Sequence, residues 1–455
     1  MMQTDITHTF AKWAVALALV STNFSWSALA ANRYTQHNLV SDVPGLADQT
    51  DPNLVNPWGI SMSSTSPFWI SNNHSGTATL YDGQGQPVPS GKPLVVNIPA
   101  PQGSKPPAAP TGQIFNDTTG FNVSGKPAAF IFATEDGTIS GWNPSADPTN
   151  AIVLVDNSGS GAVYKGLALA TTRNGPMLFA ANFNAGTIDA FDGNLAPVST
   201  AGGFVDTNLP AGFAPFNVQR IGRKLYVTYA MQDNAKHDDV KGPGNGFINV
   251  FDFDGNLIGR LVSNGTLNSP WGMTMAPSNF GEFSNALLVG NFGDGVINAF
   301  DPCSGEFLGS LQDANGSVLS TPGLWALTFG NGKGAGDANT LYITAGIPGP
   351  DQIEDHGLFA SIQVAPATVV PKPQSTPVDI ANFAFAPKTI TVAVGTPVLW
   401  TNRDGVEHTV SSDNGRFDSN FLDVNQSFSQ IFSTPGTYTY HCSIHPFMKG
   451  TIVVQ

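Results

Sequence analysis

Charge and cysteine are both scarce in this 455-residue sequence. Only 11% of its residues are Asp, Glu, Lys or Arg, and 33 acidic against 19 basic residues leave a formal net charge of -14. No basic cluster occurs, which excludes nucleic acid as a partner, because a polyanion requires a concentrated Lys/Arg surface. The acidic excess serves solubility. Two cysteines, Cys303 and Cys442, are too few for a disulfide framework. A bridge between them is arithmetically open, but Cys442 has a better use as a metal ligand. Helical periodicity is nearly absent. Beyond Val20 no apolar run approaches the roughly 20 residues that a membrane-spanning helix needs, so no membrane span is expected in the mature chain.

Glycine and proline, 49 and 34 residues, are abundant instead, set among short runs rich in Val, Ile, Phe and Thr. This favours a turn-rich all-β protein, and the length favours two or three domains of about 150 residues. Near the N-terminus, Lys12, an apolar run from Trp13 to Val20 and Ser27-Ala28-Leu29-Ala30 follow one another. That is the layout of a secretory signal peptide with an A-x-A site. Residues 1–30 are therefore expected to be cleaved after Ala30 and the protein to be periplasmic or extracellular. Asp5 is atypical of such a peptide, and an uncleaved anchor is the alternative.

A pattern of Gly, an alternating run, an aromatic and Asp or Asn recurs along the chain. It runs from Gly76 to Tyr81-Asp82, Gly137 to Trp142-Asn143, Gly186 to Phe191-Asp192, Gly246 to Phe251-Asp252 and Gly295 to Phe300-Asp301, with a weaker sixth copy from Gly357. Each copy sits in a hairpin with further runs before and behind it, and four strands in about 50 residues is the signature of a propeller blade. Residues 31–364 are thus expected to form a six-bladed β-propeller. Gly59, Gly166 and Gly272 recur on the inner strands at intervals of 107 and 106, which points to blades arranged in pairs. The sixth unit ends on its third strand, so Tyr34–Ser41 is predicted to pair with Leu358–Val364 and leave no open edge.

Within this part, Asn72, Asn182 and Asn291 each precede a turn glycine by four residues. They are read as turn residues satisfying backbone groups, with a channel site for an ion or small polar ligand as the alternative. His37, His74, His237 and His356 show no metal-ligand spacing and are expected at surfaces or turns. Trp58, Trp271 and Trp325 are expected to pack between blades, and Cys303 to act as a small buried hydrophobe.

Residues 365–377 carry four prolines, suited to a linker, and strands resume over 378–455. There, Cys442-Ser-Ile-His445-Pro-Phe-Met448 and the upstream His408 offer one thiolate, two imidazoles and a thioether, the donor set of a blue-copper site. The soft sulfur donors select copper over magnesium, calcium or manganese. His441 points to the opposite face from Cys442 by strand alternation and is read as structural.

Residues 378–455 resemble the cupredoxins of the amicyanin and plastocyanin kind, most specifically in the ending Tyr440-His-Cys-Ser-Ile-His-Pro-Phe-Met448. The resemblance implies a small β-sandwich holding one type 1 copper through His408, Cys442, His445 and Met448. It also implies that the exposed edge of His445, collared by Pro446 and Phe447, is an electron port, to which Gly405, Phe417 and Met448 are expected to contribute surface. Where many cupredoxins have Asn after the first ligand His, this chain has Thr409, whose hydroxyl is expected to link to Ser443.

These features predict an exported electron-transfer protein that is more a carrier than an enzyme, with a redox partner protein and with the propeller as docking platform. Alternatives are a copper-dependent oxidoreductase with a substrate site in the propeller, and a binding module in which the propeller recognises a wall polymer or partner protein while the copper domain senses or sequesters metal; a small molecule or polymer is the ligand class open to the propeller. A single cysteine near the site and the lack of His-x-His pairs exclude the nitrous-oxide reductase and multicopper oxidase arrangements.

Overall fold

The computed structural model describes residues 33–350, 354–365 and 375–455; the expected signal peptide and most of the Pro-rich linker lie outside the described residues. The protein is all-β. Among the described residues the only helices are two single turns of 3-10 helix, Ser158–Ser160 and Gly281–Phe283. Among those residues no helix is long and apolar enough to cross a membrane.

Before residue 365, beside a small hairpin of Asn122–Val123 with Lys126–Pro127, six sheets of three to five strands open on the strands Pro57–Ser61, Pro110–Phe115, Tyr164–Thr172, Phe213–Ile221, Pro270–Met275 and Leu324–Phe329. These first strands approach one another in chain order, and the sixth approaches the first. Glycine makes the approach possible. A Cβ on Gly59 would run into the backbone of Thr111, one on Gly166 into Asn217 and one on Gly272 into the carbonyl of Trp325. Where the first strands meet, Trp58, Trp271, Trp325, Phe183, Phe216 and Phe292 form one buried cluster. Trp58 stacks on Trp325 at 3.4 Å between ring centres, and Trp271 meets both edge-on at 6.0 and 5.8 Å. The tryptophans pack between units as expected, and together they fill the middle.

Tyr34–Ser41 pairs antiparallel with Leu358–Val364, from Tyr34 opposite Val364 to Ser41 opposite Leu358, as the strand count requires. Two expectations need correction. The third sheet has three strands rather than four: after Thr187–Asp192 only an isolated bridge from Phe191 to Pro197 forms, since proline cannot donate to a ladder. The fourth repeat is also irregular. Gly76, Gly137, Gly186 and Gly295 turn with φ of 66 to 83°, whereas Gly246 ends a long loop, residues 232–246, between the strands Lys224–Met231 and Phe247–Phe251.

After residue 375 two four-stranded sheets face each other. One runs in the order Ala384–Ala386, Thr376–Ala381, Pro397–Asn402 and Ser427–Ile431; the other runs Thr389–Val392, Lys449–Val454, Gly436–His441 and Ser411–Ser412. Alternate side chains turn inward onto Trp400, which is fully buried and surrounded by Phe417, Phe428 and Tyr440. The sandwich touches the sheets before it through Asn285 Nδ2, donating to Ser429 O at 3.2 Å, and through the Arg223 guanidinium 5.1 Å over Phe421.

Candidate metal centre

Cys442 follows the strand Gly436–His441, and the chain then doubles back within a few residues. The His445 N–H donates to Cys442 O at 3.1 Å, Met448 N–H to His445 O at 2.9 Å and Cys442 N–H to Met448 O at 3.2 Å. This nested turn places Cys442, His445 and Met448 on one loop. His408 comes from a second loop, clamped by reciprocal backbone bonds with Leu422 and by Asn402, whose Nδ2 donates to Val406 O and Leu422 O.

The two loops converge. Cys442 Sγ lies 3.7 Å from His408 Nδ1 and 3.6 Å from His445 Nδ1, and the three donor atoms fall within 4.8 Å of one another. An ion bonded at about 2.0–2.1 Å to nitrogen and 2.3 Å to sulfur, at angles between tetrahedral and trigonal, needs donors about 3.5–3.8 Å apart. The residues present therefore fit a soft transition ion. Met448 is buried with Cys442 in the sandwich core. Both cysteines are free, so no bridge joins Cys303 to Cys442.

The surroundings orient these donors. His408 Nε2 faces Asp404 Oδ2 at 3.0 Å, a carboxylate contact that fixes the ring and leaves Nδ1 toward the sulfur. Asp404 also accepts the N–H groups of Asn382 and Phe383 at 2.7 and 2.9 Å. Burial alone would push its carboxyl up, but the Phe383 and Asn382 donors and His408 hold it below the usual carboxylate range. Burial lowers the pKa of His408 against the opposing pull of Asp404, favouring the neutral ring that a metal needs. Thr409 N–H approaches Cys442 Sγ at 3.3 Å, and Thr409 Oγ1 accepts Ser443 N–H at 2.7 Å, the expected link between the two loops. His441 pairs with Asp413 at 2.6 Å, away from the donors.

Around half-buried His445 the surface is apolar. Phe447 is 71% exposed and Phe383 44%, and both rings stand against His445 at 6.0 and 5.0 Å. Phe417 and Met448, expected on this surface, are buried at 2% each: Phe417 is drawn into the Trp400 cluster, and Met448 turns inward beside Cys442. Asp404 and Phe383 were not legible from the motif, although Asp404 stands one turn's length before His408 in a polar loop.

A second cluster lies over the tryptophans of the six sheets. Glu135, His237 and Asp238 come within metal-holding distance, but Lys165, itself 1% exposed, already pairs with Glu135 and with Asp238 at 3.5 Å. These residues line a cavity of about 320 Å³ together with Asn56 and Glu354. Burial, followed by the charge of Glu135, pushes Glu354 up to about 7. His237 is thus part of a charged cluster rather than an isolated surface histidine, and the irregular 232–246 loop is what carries it there. The backbone carbonyls of Asn72, Asn182 and Asn291 accept the N–H of Gly76, Gly186 and Gly295 in their own turns; the Asn182 side chain also accepts Ala185 N–H and that of Asn291 donates to Thr266 O, whereas that of Asn72 donates to the Thr77 and Thr79 hydroxyls. Cys303 is only half-buried and lies against the sandwich, not inside its own sheet.

Residues 373–455 match the copper binding proteins of the plastocyanin/azurin family. Over 104 residues the chain is 36% identical to amicyanin-alpha of Methylorubrum extorquens, covering 22% of this chain and 82% of that protein. Over 90 residues it is 33% identical to plastocyanin of Scenedesmus fuscus, covering 17% and 92%. A longer match, 34% over 317 residues, joins it to an uncharacterized protein of Acanthamoeba polyphaga mimivirus, covering 68% of this chain and 75% of that one; most of that match must fall on the six sheets. Through its C-terminal sandwich, the chain belongs to the copper-binding plastocyanin/azurin family of cupredoxins.

Proposed function

We propose that this is an exported one-electron carrier in which a single type 1 copper is held by His408, Cys442, His445 and Met448. In this reading residues 31–364 form a six-bladed β-propeller, 365–377 a linker and 378–455 the copper domain. The observation that carries it is the convergence of one buried sulfur and two imidazole nitrogens at 3.6–3.7 Å. Copper, when bound, supplies a Cu(II)/Cu(I) couple at such a donor set. The chain's own contribution is a fixed geometry: Asp404 holds the His408 ring, Thr409 ties the two loops together, and burial of Cys442 keeps water from the sulfur. Held this way, the donors need move little between oxidation states. The apolar face of Phe383, Ile444 and Phe447 around His445 suits a transient redox partner protein. Support for the propeller is the cyclic approach of the six first strands. Equilibrium dialysis of the mature chain should give one copper per chain and an intense visible thiolate-to-Cu(II) band, absent in Cys442→Ser. Two or more tight coppers, or a colourless complex, overturns the reading.

The cavity over the tryptophans favours a second, compatible reading, in which the propeller also takes a small polar ligand. Its opposed charges and aromatic floor are features of ligand sites. A thermal-shift screen that finds ligands lost in Lys165→Met supports it, and hits that are indifferent to that change refute it.

A further inference from the structure

The sandwich and the six sheets meet closely at Cys303, just beyond the strand Ile297–Phe300. Its Sγ lies 2.9 Å from the N–H of Asp418, a sandwich residue, and accepts from it. Burial, and next the charge of Asp301, pushes this thiol up to about 12, so it stays a neutral thiol. From Asp418 a path of polar groups leads inward. Asp418 Oδ1 accepts from Ser411 Oγ at 3.2 Å, and Ser411 Oγ lies 2.9 Å from Thr409 Oγ1 and 2.8 Å from Ser443 Oγ. Thr409 then sends its backbone N–H to Cys442 Sγ at 3.3 Å. Thr409 and Ser411 are buried, at 3% and 6% exposed. Beside Cys303 and Asp418 the seam opens into a cavity of about 450 Å³. At this point the thiol is the contact that reaches Asp418 from the six sheets, added to the bridge with Ser411 and the Asn420 N–H that hold Asp418 within the sandwich.

We infer that the six-sheet part of the chain sets the reduction potential of the copper centre through Cys303, a positioning residue acting by way of Asp418, Ser411 and Thr409 on the Cys442 thiolate. The inference rests on the proposed copper site. An N–H aimed at the thiolate draws negative charge from the metal–sulfur bond and favours Cu(I), the state with one more electron; hydrogen bonding around this sulfur is a known lever on potential. Removing the sulfur takes one anchor from Asp418, lets it and the bridged Ser411 shift, and through Thr409 weakens that N–H contact. The potential then falls. Such a link gives the large N-terminal part a say in the redox chemistry without supplying a ligand: whatever shifts the seam shifts the couple.

The test uses the full mature chain. Cys303→Ala should take up copper and keep its visible band, with the band displaced and the potential lowered, so that the Cu(I) to Cu(II) ratio at a fixed solution potential falls a few-fold. Cys303→Ser, which keeps an acceptor for Asp418 N–H, should restore most of the difference. A double-mutant cycle separates a relay from a general disturbance, since coupled residues give non-additive effects: in a Ser411→Ala background, Cys303→Ala should add little. Without copper, amide exchange at Thr409 should quicken in Cys303→Ala. A Cys303→Ala protein with unchanged potential, band and Thr409 exchange overturns the inference, as does full additivity with Ser411→Ala. If the unaltered chain shows no blue band, the copper reading fails instead, and the Thr409 exchange still tests the relay.

Discussion

The strands of the six sheets and those of the sandwich bury their residues in different ways. Phe68–Asn72, Phe130–Thr134, Leu287–Asn291 and Leu341–Ala345 are buried at every position. Thr389–Val392 alternates between exposed and buried, and Lys449–Val454 between buried and exposed or half-buried. A sheet lying between two neighbours is covered on both faces and reads as a continuous apolar run, whereas a sheet with one face to solvent alternates. The functional groups follow the same division. The sandwich gathers three of its candidate donors on one short loop, while the centre of the six sheets assembles its charged cluster from Glu135, Lys165, His237-Asp238 and Glu354, far apart in sequence.

If the two parts are separately cored, a lesion in one should leave the other standing. Trp325 sits at the middle of the six sheets, 1% exposed, stacked on Trp58 and Phe292 and donating to Asn56 Oδ1 at 3.1 Å. Trp325→Ala should cost about 3–5 kcal/mol, lowering one calorimetric transition of the full chain and sparing the other. A common fall of both transitions would break the comparison. Asp404→Ala, confined to the sandwich, should weaken copper binding by about 10- to 100-fold in competition with a chelator, with little change in the six-sheet transition; unaltered affinity would remove Asp404 from the account. The smallest effect on stability belongs to exposed Phe447. Phe447→Ala should change stability by no more than about 0.5 kcal/mol and leave the band in place, yet slow electron exchange between oxidised and reduced copies measured by NMR line broadening. An unchanged exchange rate would remove the apolar face from the transfer route.

How much could be read in advance follows from the same division. The spacing of Cys442, His445 and Met448 was legible because one turn holds all three, and Thr409 was legible as a substitute linking residue because it adjoins His408. Asp404 was not, since nothing in a polar loop says which carboxylate reaches back to a ring. The six units were visible through the recurring run from Gly to an aromatic and Asp or Asn, and Tyr34–Ser41 through the strand count. The three-stranded third sheet and the 232–246 loop were hidden because the repeat survives in Phe191-Asp192 and Phe251-Asp252 while the chain around it departs from the pattern. Cys303 was misread for a related reason: a residue at a seam between two folded parts carries no periodic signal of the partner that covers it.

The most direct test of the central claim is spectroelectrochemistry of the copper-loaded, full mature chain. The account predicts a blue band that bleaches and returns reversibly through a one-electron couple, with a slope near 59 mV per tenfold change in the ratio of oxidised to reduced protein. A copper complex without that band, or one that does not cycle, would contradict it.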